Sequence, residues 1–331
     1  MRYLASITGP QVTRFAKRAA VCCAALLAGI FLPLPNAILQ AATSQIVGTY
    51  PVSVPAGNSA WVSGLVTADL YEGAAVTVTA DFDGKALVSF SAPGWTAGAF
   101  NRHYAEPQSG TSSGLAIDIL SNTTDTLKLN TTPAAAGLTN GMIFVVRKHT
   151  TLGGLMPTGG GLAVMIDSLI LFGTNGLQTS YFYNGAGWTD SFGTDSNNVI
   201  VRPAQGFVIH ATSPLTITVG SGEVAYVKST ATRIRANANV PNLMGALNPL
   251  GTTTTLGSLG ITSSMQAFND SLVTLTPGTL AQGGTYLSNG ANLINGLGQN
   301  STSVTLPAGA SVVINVNTAK NMVLAPVPVG P

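Results

Sequence analysis

The sequence predicts an all-β fold, made of tandem β-sandwich-like modules with an internal duplication and preceded by a cleaved signal peptide. Three observations lead to this prediction. Short apolar segments alternate with Thr at a period of two residues, as in 75–81, which is typical of half-buried strands. Gly, Pro and Asn separate the segments at near-even intervals, as in sandwiches. A set of short motifs also recurs in the same order further along the chain.

Four motifs make up the recurring set, in the order Thr-Thr-Leu-Gly, Asp-Ser-Leu, Tyr-x-x-Asn-Gly-Ala and Pro-Ala. They begin at Thr150, Asp167, Tyr181 and Pro203, and again at Thr254, Asp270, Tyr286 and Pro307. The spacing between the two copies stays between 103 and 105 residues. We therefore predict equivalent strands around the two tyrosines. The Asn-Gly pairs should form equivalent turns, because Asn-Gly favours positive φ.

The motifs define the expected domain organisation. It comprises a signal peptide at 1–42, an N-terminal β-module at 43–137, repeat 1 at 138–229 and repeat 2 at 230–331. Repeat 2 ends in a Pro-rich tail. Within the N-terminal module, an Asp-Gly pair between two alternating segments predicts a hairpin at Asp83.

Residues 1–42 have the layout of a secretory signal peptide. A basic stretch ending at Arg18 precedes an apolar segment at 19–34, which is shorter than the about 20 residues of a membrane helix. We expect cleavage near Ala42, with a retained anchor as the alternative. Both cysteines lie in the apolar segment, so the mature chain would have no cysteine and no membrane span. The predicted location is extracellular or on the cell surface, with the periplasm as the alternative.

Charge is sparse along the chain, since only 8% of its residues are charged, against about 25% in an average soluble protein. The predicted signal peptide holds four of the 14 Lys and Arg residues, which leaves ten against twelve Asp and Glu. A basic surface for nucleic acid is therefore not expected. The partners expected are an extracellular polysaccharide or another surface protein.

The chain resembles a family of small exported bacterial proteins that are β-rich and have no assigned activity. The residues that carry the resemblance are Val47–Tyr50 with Val54–Gly57, Gly94–Gly98, Ser121–Leu127, Thr151–Pro157 and, as the best match, Tyr181–Trp188. It covers most of 45–225, and the chain departs from the family pattern at Gln205–Phe207, where an aromatic-rich strand is usual. The resemblance implies export and a β fold, and it supplies no substrate and no catalytic residue.

Three patterns that can mark catalysis or metal binding favour a structural interpretation in this sequence. His103, His149 and His210 do not share a metal-ligand spacing, so no metal site and no cofactor are expected. The Gly-x-Ser-x-Gly pattern at 110–114 precedes a strand-like segment, whereas a nucleophilic serine needs a strand-to-helix turn. Asp81-Phe82-Asp83-Gly84 begins like a calcium loop but lacks the later ligands, which favours a turn. No catalytic residue is assigned.

One cluster supports a binding hypothesis. The candidate ligand-binding residues are Tyr183, Trp188, Asp190, Asp195 and Asn197. Aromatic rings beside carboxylate and amide groups are how many β-sandwiches hold sugars or aromatic ligands. The alternative is that the aromatic residues pack in the core. Repeat 2 has serine and leucine near the places of Tyr183 and Trp188, which indicates that these two are specialised in repeat 1.

The sequence therefore favours an exported, non-enzymatic β-protein with a structural or surface-interaction role. The alternative is a carbohydrate-binding module, which the aromatic cluster would serve. A secreted hydrolase is the third hypothesis, and it has the least support because the twelve acidic residues are scattered, mostly in turns.

Overall fold

The fold was analysed in a computed structural model, and it is nearly all β, which confirms the predicted class. The structure describes residues 50–63, 67, 69–173, 177–219, 232–245, 254–276, 281–307 and 310–325. The predicted signal peptide and the Pro-rich tail at 326–331 lie outside these residues. All the described residues belong to one compact unit, Gln45–Pro331. Its described helices are all too short to cross a bilayer.

Two strands, β1 (Tyr50–Val54) and β2 (Asn58–Ser63), come first, and a six-stranded barrel follows. The barrel strands are β3 (Asp69–Ala80), β4 (Ala86–Phe90), β5 (His103–Pro107), β6 (Ile117–Asn122), β7 (Thr126–Leu129) and β8 (Ile143–Lys148). They close in the order β3-β4-β7-β6-β5-β8, with every pairing antiparallel. Alternate residues such as Val88, Leu127 and Phe144 fill the interior. Closure leaves no free edge, which suits a surface with few charges.

Module A combines the first two strands with residues 150–219. Its further strands are β9 (Thr150–Thr151), β10 (Ser168–Phe172), β11 (Gln178–Tyr183), β12 (Trp188–Asp190), β13 (Ile200–Val201), β14 (Gly206–Ala211) and β15 (Leu215–Val219). A five-stranded sheet has the order β12-β11-β10-β14-β2, and β1-β15 and β9-β13 form two-stranded sheets. One helical turn, α1 (Leu152–Leu155), and a 3₁₀ turn (Gly159–Gly161) connect β9 to β10. Leu152 and Leu155 of α1 complete the core beneath the sheet.

Module B comprises residues 232–325. Its strands are β16 (Thr232–Ala236), β17 (Asn242–Met244), β18 (Thr254–Thr255), β19 (Ser271–Leu275), β20 (Gln282–Ser288), β21 (Leu293–Ile294), β22 (Thr305–Leu306), β23 (Ser311–Asn315) and β24 (Lys320–Leu324). The sheet order β17-β23-β19-β20-β21 and the pairs β16-β24 and β18-β22 match module A strand for strand. Two 3₁₀ turns, Gly257–Leu259 and Ile261–Ser264, take the place of the helical turns of module A.

The expected turns and strand positions can be compared directly between the modules. Tyr181 pairs with Leu169 and Tyr286 with Leu272, each between the two central strands of its sheet. Gly185 and Gly290 adopt φ values of 94° and 93°, as predicted for the Asn-Gly turns. The side-chain oxygen of the preceding asparagine accepts two backbone N–H groups in each turn.

The predicted domain boundaries stay a prediction, and the strand pairing cuts across them at two points. Residues 50–63 were assigned to the N-terminal module, yet β2 pairs with β14 and β1 with β15 of module A. Residues 143–148 were assigned to repeat 1, yet β8 closes the barrel against β3 and β5. The barrel is therefore an insertion between β2 and β9. In module B, only residues 245–253 separate the equivalent strands β17 and β18.

The two five-stranded sheets pack against each other through the faces turned away from their own cores. Ile170, Phe172 and Val208 of module A meet Leu243, Leu275 and Val313 of module B. Gly206 lies so close to Leu243 that an added Cβ would be 2.3 Å from its Cγ. This contact explains why β14 is buried on both faces, as its continuous apolar sequence Phe207–Ile209 requires.

Candidate functional site

The two aromatic residues of the predicted ligand cluster lie on either side of the β11–β12 hairpin. Tyr183 and Trp188 pair across it, with ring centroids 6.0 Å apart in an edge-to-face arrangement. Trp188 is fully buried, and its indole Nε1–H donates to the Met156 carbonyl at 2.9 Å. A ring without exposed surface offers no face for a ligand in this structure, so its burial supports the alternative, in which Trp188 packs in the core. Its polar atom is satisfied inside the core, as buried indoles require.

The polar members of the cluster hold the turns that follow β12. One carboxylate oxygen of Asp190 accepts the backbone N–H groups of Phe192 and Thr194, each at 2.9 Å. These hydrogen bonds, that from Thr194 above all, lower the pKa of Asp190. Asp195 accepts the backbone and side-chain N–H groups of Asn197 at 3.0 and 2.7 Å. These side-chain hydrogen bonds form a frame that fixes the conformation of the loop after β12.

Asn197 links this frame to the hairpin, because its Oδ1 accepts the backbone N–H of Trp188 at 2.9 Å. Module B builds the same frame with other residues. Asn295 Oδ1 accepts the N–H groups of Leu297 and Gln299 in the way that Asp190 accepts its two. The recurrence in both modules indicates a requirement of the loop rather than of a ligand. Tyr183, half-buried with its hydroxyl on the Gly185 carbonyl, is the remaining partly accessible ring of the cluster.

The turns held in this way end in exposed apolar side chains, which the sequence analysis did not single out. Phe192 is 92% exposed and Leu297 83%, at matching places in the two modules. A second matching pair is Met165, 50% exposed, and Phe268, 66% exposed. Both residues of that pair have a φ of 58°. Each donates its N–H to a carbonyl of the central hairpin. The sequence signal that could have identified these residues is a large apolar residue within an otherwise polar turn.

A buried aspartate precedes the first central strand of each module. Asp167 accepts hydrogen bonds from the backbone of Ala163 and from the N–H and hydroxyl of Thr212, all at 2.8 Å. Asp270 accepts the N–H of Gln266 at 2.7 Å and lies 2.6 Å from Lys320 Nζ. Burial alone would raise the pKa of each carboxyl, but these hydrogen bonds lower it. Both groups therefore serve as fixed acceptors that tie loops to the sheet.

A charged cluster joins the barrel to module A. Arg202 donates from both terminal nitrogens to the two oxygens of Asp118 on β6, at 2.7 and 2.8 Å. His149, 2% exposed, lies with Nε2 3.0 Å from the same carboxylate. Burial would raise the pKa of Asp118, but His149 and Arg202 hold it well below its usual range. Asp118 is therefore an ionised anchor between the two parts.

The residues of the other candidate patterns have structural partners. Ser112, in the Gly-x-Ser-x-Gly segment, is buried and donates to the Ala136 carbonyl at 2.6 Å. In the calcium-like turn, Lys128 Nζ lies 2.6 Å from Asp81 and 2.9 Å from Asp83, so an ammonium group occupies the place between the carboxylates. Across the described ranges, no three His, Cys, Asp or Glu side chains gather as metal ligands would.

A crevice of about 260 Å³ opens where the barrel and the two modules meet. The barrel side contributes Leu115 and Ala116, and module B contributes Arg233, Asn237 and 241–244. Module A contributes Phe172, Gly173, Arg202, Pro203, Gln205 and Gly206. Arg233 is tied to the barrel, since its backbone N–H donates to the Gly114 carbonyl and its Nε–H to the Ser113 carbonyl, both at 2.9 Å. The crevice combines cationic and apolar walls, and the sequence analysis missed it because its residues come from distant parts of the chain.

No protein-family model, curated protein or solved structure matches the chain. The resemblance to exported β-rich proteins therefore stays a prediction. The assignment of function rests on the geometry of the chain itself.

Proposed function

We propose that the protein is exported and acts without catalysis, as a β-protein that makes contacts at a surface through the exposed turn tips of its two modules. The observation that carries the proposal is the matched exposure of Phe192 and Leu297, each at the end of a turn fixed by side-chain hydrogen bonds. Exposed apolar surface is one of the features that mark contact sites. Surrounding surfaces poor in charge carry little electrostatic repulsion to oppose such contacts.

The internal duplication is part of this proposal. Nine strands of module B follow the order and pairing of nine strands of module A, and the four sequence motifs fall at corresponding places. A duplicated module presents the same kind of contact twice. Two linked weak contacts bind far more tightly than one when both can engage.

The state of the acidic groups supports a role without proton transfer. A general acid at neutral pH needs a raised pKa, since it must keep its proton until the reaction. The pKa values of Asp118, Asp167 and Asp270 are lowered by their hydrogen-bond partners instead. These three carboxylates are ionised and committed to holding the fold.

The experiment compares the secreted protein with a double variant, Phe192→Ser with Leu297→Ser. Co-sedimentation with washed cell envelopes of the producing organism measures the contact. We expect the bound fraction of the double variant to be at least about fivefold lower than that of the parent, because both exposed apolar side chains are removed. Phe82→Ser is the matched control, since Phe82 is 98% exposed on the barrel hairpin and outside both modules.

Equal sedimentation of the double variant and the parent would overturn the proposed contact. The intact mass of the secreted protein tests export separately, since loss of roughly residues 1–42 is expected. A glycan array distinguishes the alternative carbohydrate-binding role. Glycan binding that needs Tyr183 and survives the double substitution would favour that alternative.

A further inference from the structure

The crevice between the barrel and the two modules has an unbalanced positive charge. Its fourteen lining residues include two arginines and no carboxylate. Arg202 is already neutralised, because both of its terminal nitrogens are bound to Asp118. Arg233 has only its Nε–H engaged, by the Ser113 carbonyl, and within the described ranges its two terminal nitrogens have no hydrogen-bond partner. With respect to the described residues, the Arg233 guanidinium is therefore available to bind one negative charge.

The remaining walls of the crevice are apolar. Leu115 of the barrel, Phe172 and Pro203 of module A, and Pro241 and Leu243 of module B line it. Ligand pockets typically combine such walls with a few placed polar groups. The volume of about 260 Å³ lies just below the about 300 Å³ at which drug-sized pockets begin, so the occupant is small.

Hydrogen bonds hold the crevice in shape without a ligand. Gln205 accepts the backbone N–H of Arg202 and donates to the Phe172 carbonyl, at 2.9 and 3.2 Å. Asn242 accepts the N–H of Asn237 and donates to its carbonyl, at 2.8 and 3.0 Å. The Asn237 side chain stands on this fixed backbone and also lines the crevice. A preformed site loses little freedom on binding, which favours affinity for a small ligand.

We propose that this crevice binds a small organic monocarboxylate with a compact apolar tail. The carboxylate accepts hydrogen bonds from the terminal nitrogens of Arg233, whose planar fork matches two carboxylate oxygens. The tail lies against the walls formed by Phe172, Pro203 and Leu243. A single negative charge matches the Arg233 guanidinium, whose terminal nitrogens have no partner in the part of the chain that the structure describes. The apolar walls exclude a second charge because it would be desolvated without a partner. The site is separate from the turn tips of the proposed contact surface.

The test is a calorimetric titration of the secreted protein with a panel of monocarboxylates: acetate, hexanoate, octanoate, benzoate and phenylacetate. We expect saturable binding of at least one acid with an apolar tail, and at least about tenfold weaker binding of acetate, which has almost no tail to bury. The matched alcohol, such as 2-phenylethanol for phenylacetate, should also bind at least about tenfold more weakly, since it cannot form the charged pair.

Two variants locate the site. Arg233→Gln removes the unpaired charge, and Asn237→Asp places a carboxylate in the crevice while leaving the Arg233–Ser113 hydrogen bond in place. Each should weaken acid binding at least about tenfold. Lys148→Gln removes one positive charge from an exposed site on the barrel and should change affinity less than about twofold.

The outcomes separate the proposal from its alternatives. Absence of saturable binding by every acid in the panel overturns it, and so does full affinity in Asn237→Asp, whose unfolding transition must match that of the parent. Equal affinity for acid and alcohol would show an apolar cavity without charge recognition, which also overturns it. Because Phe192 and Leu297 are unchanged in these variants, failure here leaves the envelope contact unaffected.

Discussion

Modules A and B share a strand order but differ in the side chains that fill their cores and in the charged groups that they bury. At the end of the central hairpin, module A has Tyr183 paired with Trp188, and module B has Ser288 paired with Leu293. Trp188 and Leu293 are both fully buried, so the position is a core position in each module. At this position an aromatic ring in module A and a leucine in module B serve the same purpose, since each packs in the core of its module.

The largest expected effect comes from this core position. Trp188→Ala should cost about 3–5 kcal/mol of unfolding free energy, since it leaves a cavity. The Met156 carbonyl would also lose its indole donor. Leu293→Ala should cost less, within about 2–5 kcal/mol, because a smaller side chain is removed. Denaturant unfolding monitored by circular dichroism measures both. An effect of Trp188→Ala below that of Leu293→Ala would contradict the assignment of Trp188 to the core.

The buried aspartates distinguish the modules by the charge of their partners. Asp270 has an ammonium partner, Lys320, whereas the hydrogen bonds to Asp167 come from the backbone of Ala163 and from the backbone and hydroxyl of Thr212. Asp270→Asn should lower the unfolding free energy by about 3–5 kcal/mol, because removing one member of a buried ion pair leaves the charge of the other uncompensated. The loss should lie toward the lower end of that range, since Lys320 is 22% exposed and water can solvate its charge. Asp167→Asn should cost about 1–3 kcal/mol for its lost hydrogen bonds to a charged acceptor. Equal costs would show that Lys320 contributes nothing.

The lowered pKa values of Asp167 and Asp270 also lead us to expect that the fold is less stable in acid. Their pKa values are lower in the folded protein than the about 3.9 of an unfolded aspartate, so their stabilisation is fully present above that pH. It is lost as pH falls below about 4 through the folded-state values. Unfolding free energies measured between pH 7 and pH 2 should therefore decrease in the parent. The decrease should be smaller in Asp270→Asn and in Asp167→Asn, each of which lacks one of the titrating groups.

The sequence contained the local features of these modules and not the long-range ones. The turns at Gly185 and Gly290 depend on adjacent residues, and they were predictable for that reason. The pairing of β2 with β14 joins residues about 150 positions apart across an inserted barrel, and no local pattern encodes it. The crevice around Arg233 was equally hidden, because its walls come from three parts of the chain.

Trp188 shows why the sequence alone cannot distinguish a core residue from a ligand-binding one in this cluster. Its neighbours in sequence are Gly187 and Thr189, which read as an exposed turn followed by a half-buried strand. The ring packs in a core that includes Leu152 and Leu155 of α1, and its indole N–H donates to the carbonyl of Met156, 32 residues earlier in the chain. Asp190 ends β12 and Asp195 lies in the loop that follows, and the hydrogen bonds that engage them could not be read from their spacing alone.

A glycine pair tests how tightly module A encloses its extra aromatic residue. Tyr183 packs on Gly159, where an added Cβ would lie 2.5 Å from the ring. Gly159→Ala should therefore cost about 1–3 kcal/mol for overpacking, and about 1 kcal/mol more for its φ of 70°. Gly185→Ala is the control, because its φ is also positive but no atom lies within 4 Å of an added Cβ. Equal unfolding free energies for the two variants would contradict the close packing of Tyr183.

The smallest expected effect concerns the ion pair between Arg202 of module A and Asp118 of the barrel. Module B contacts the barrel differently, through Arg233 and backbone carbonyls. Arg202→Lys keeps the charge but cannot bind both oxygens of Asp118 at once. The cost should be about 0.5–1 kcal/mol, because Arg202 is 48% exposed and solvent screens the pair. The pKa of Asp118 should rise toward its usual range, since Arg202 is one of the groups that lower it. Carboxyl carbon chemical shifts followed by NMR through an acid titration measure that change. A pKa of Asp118 unmoved in Arg202→Lys and in Arg202→Gln would show that His149 alone holds the carboxylate, and that the guanidinium contributes no anchor between the two parts.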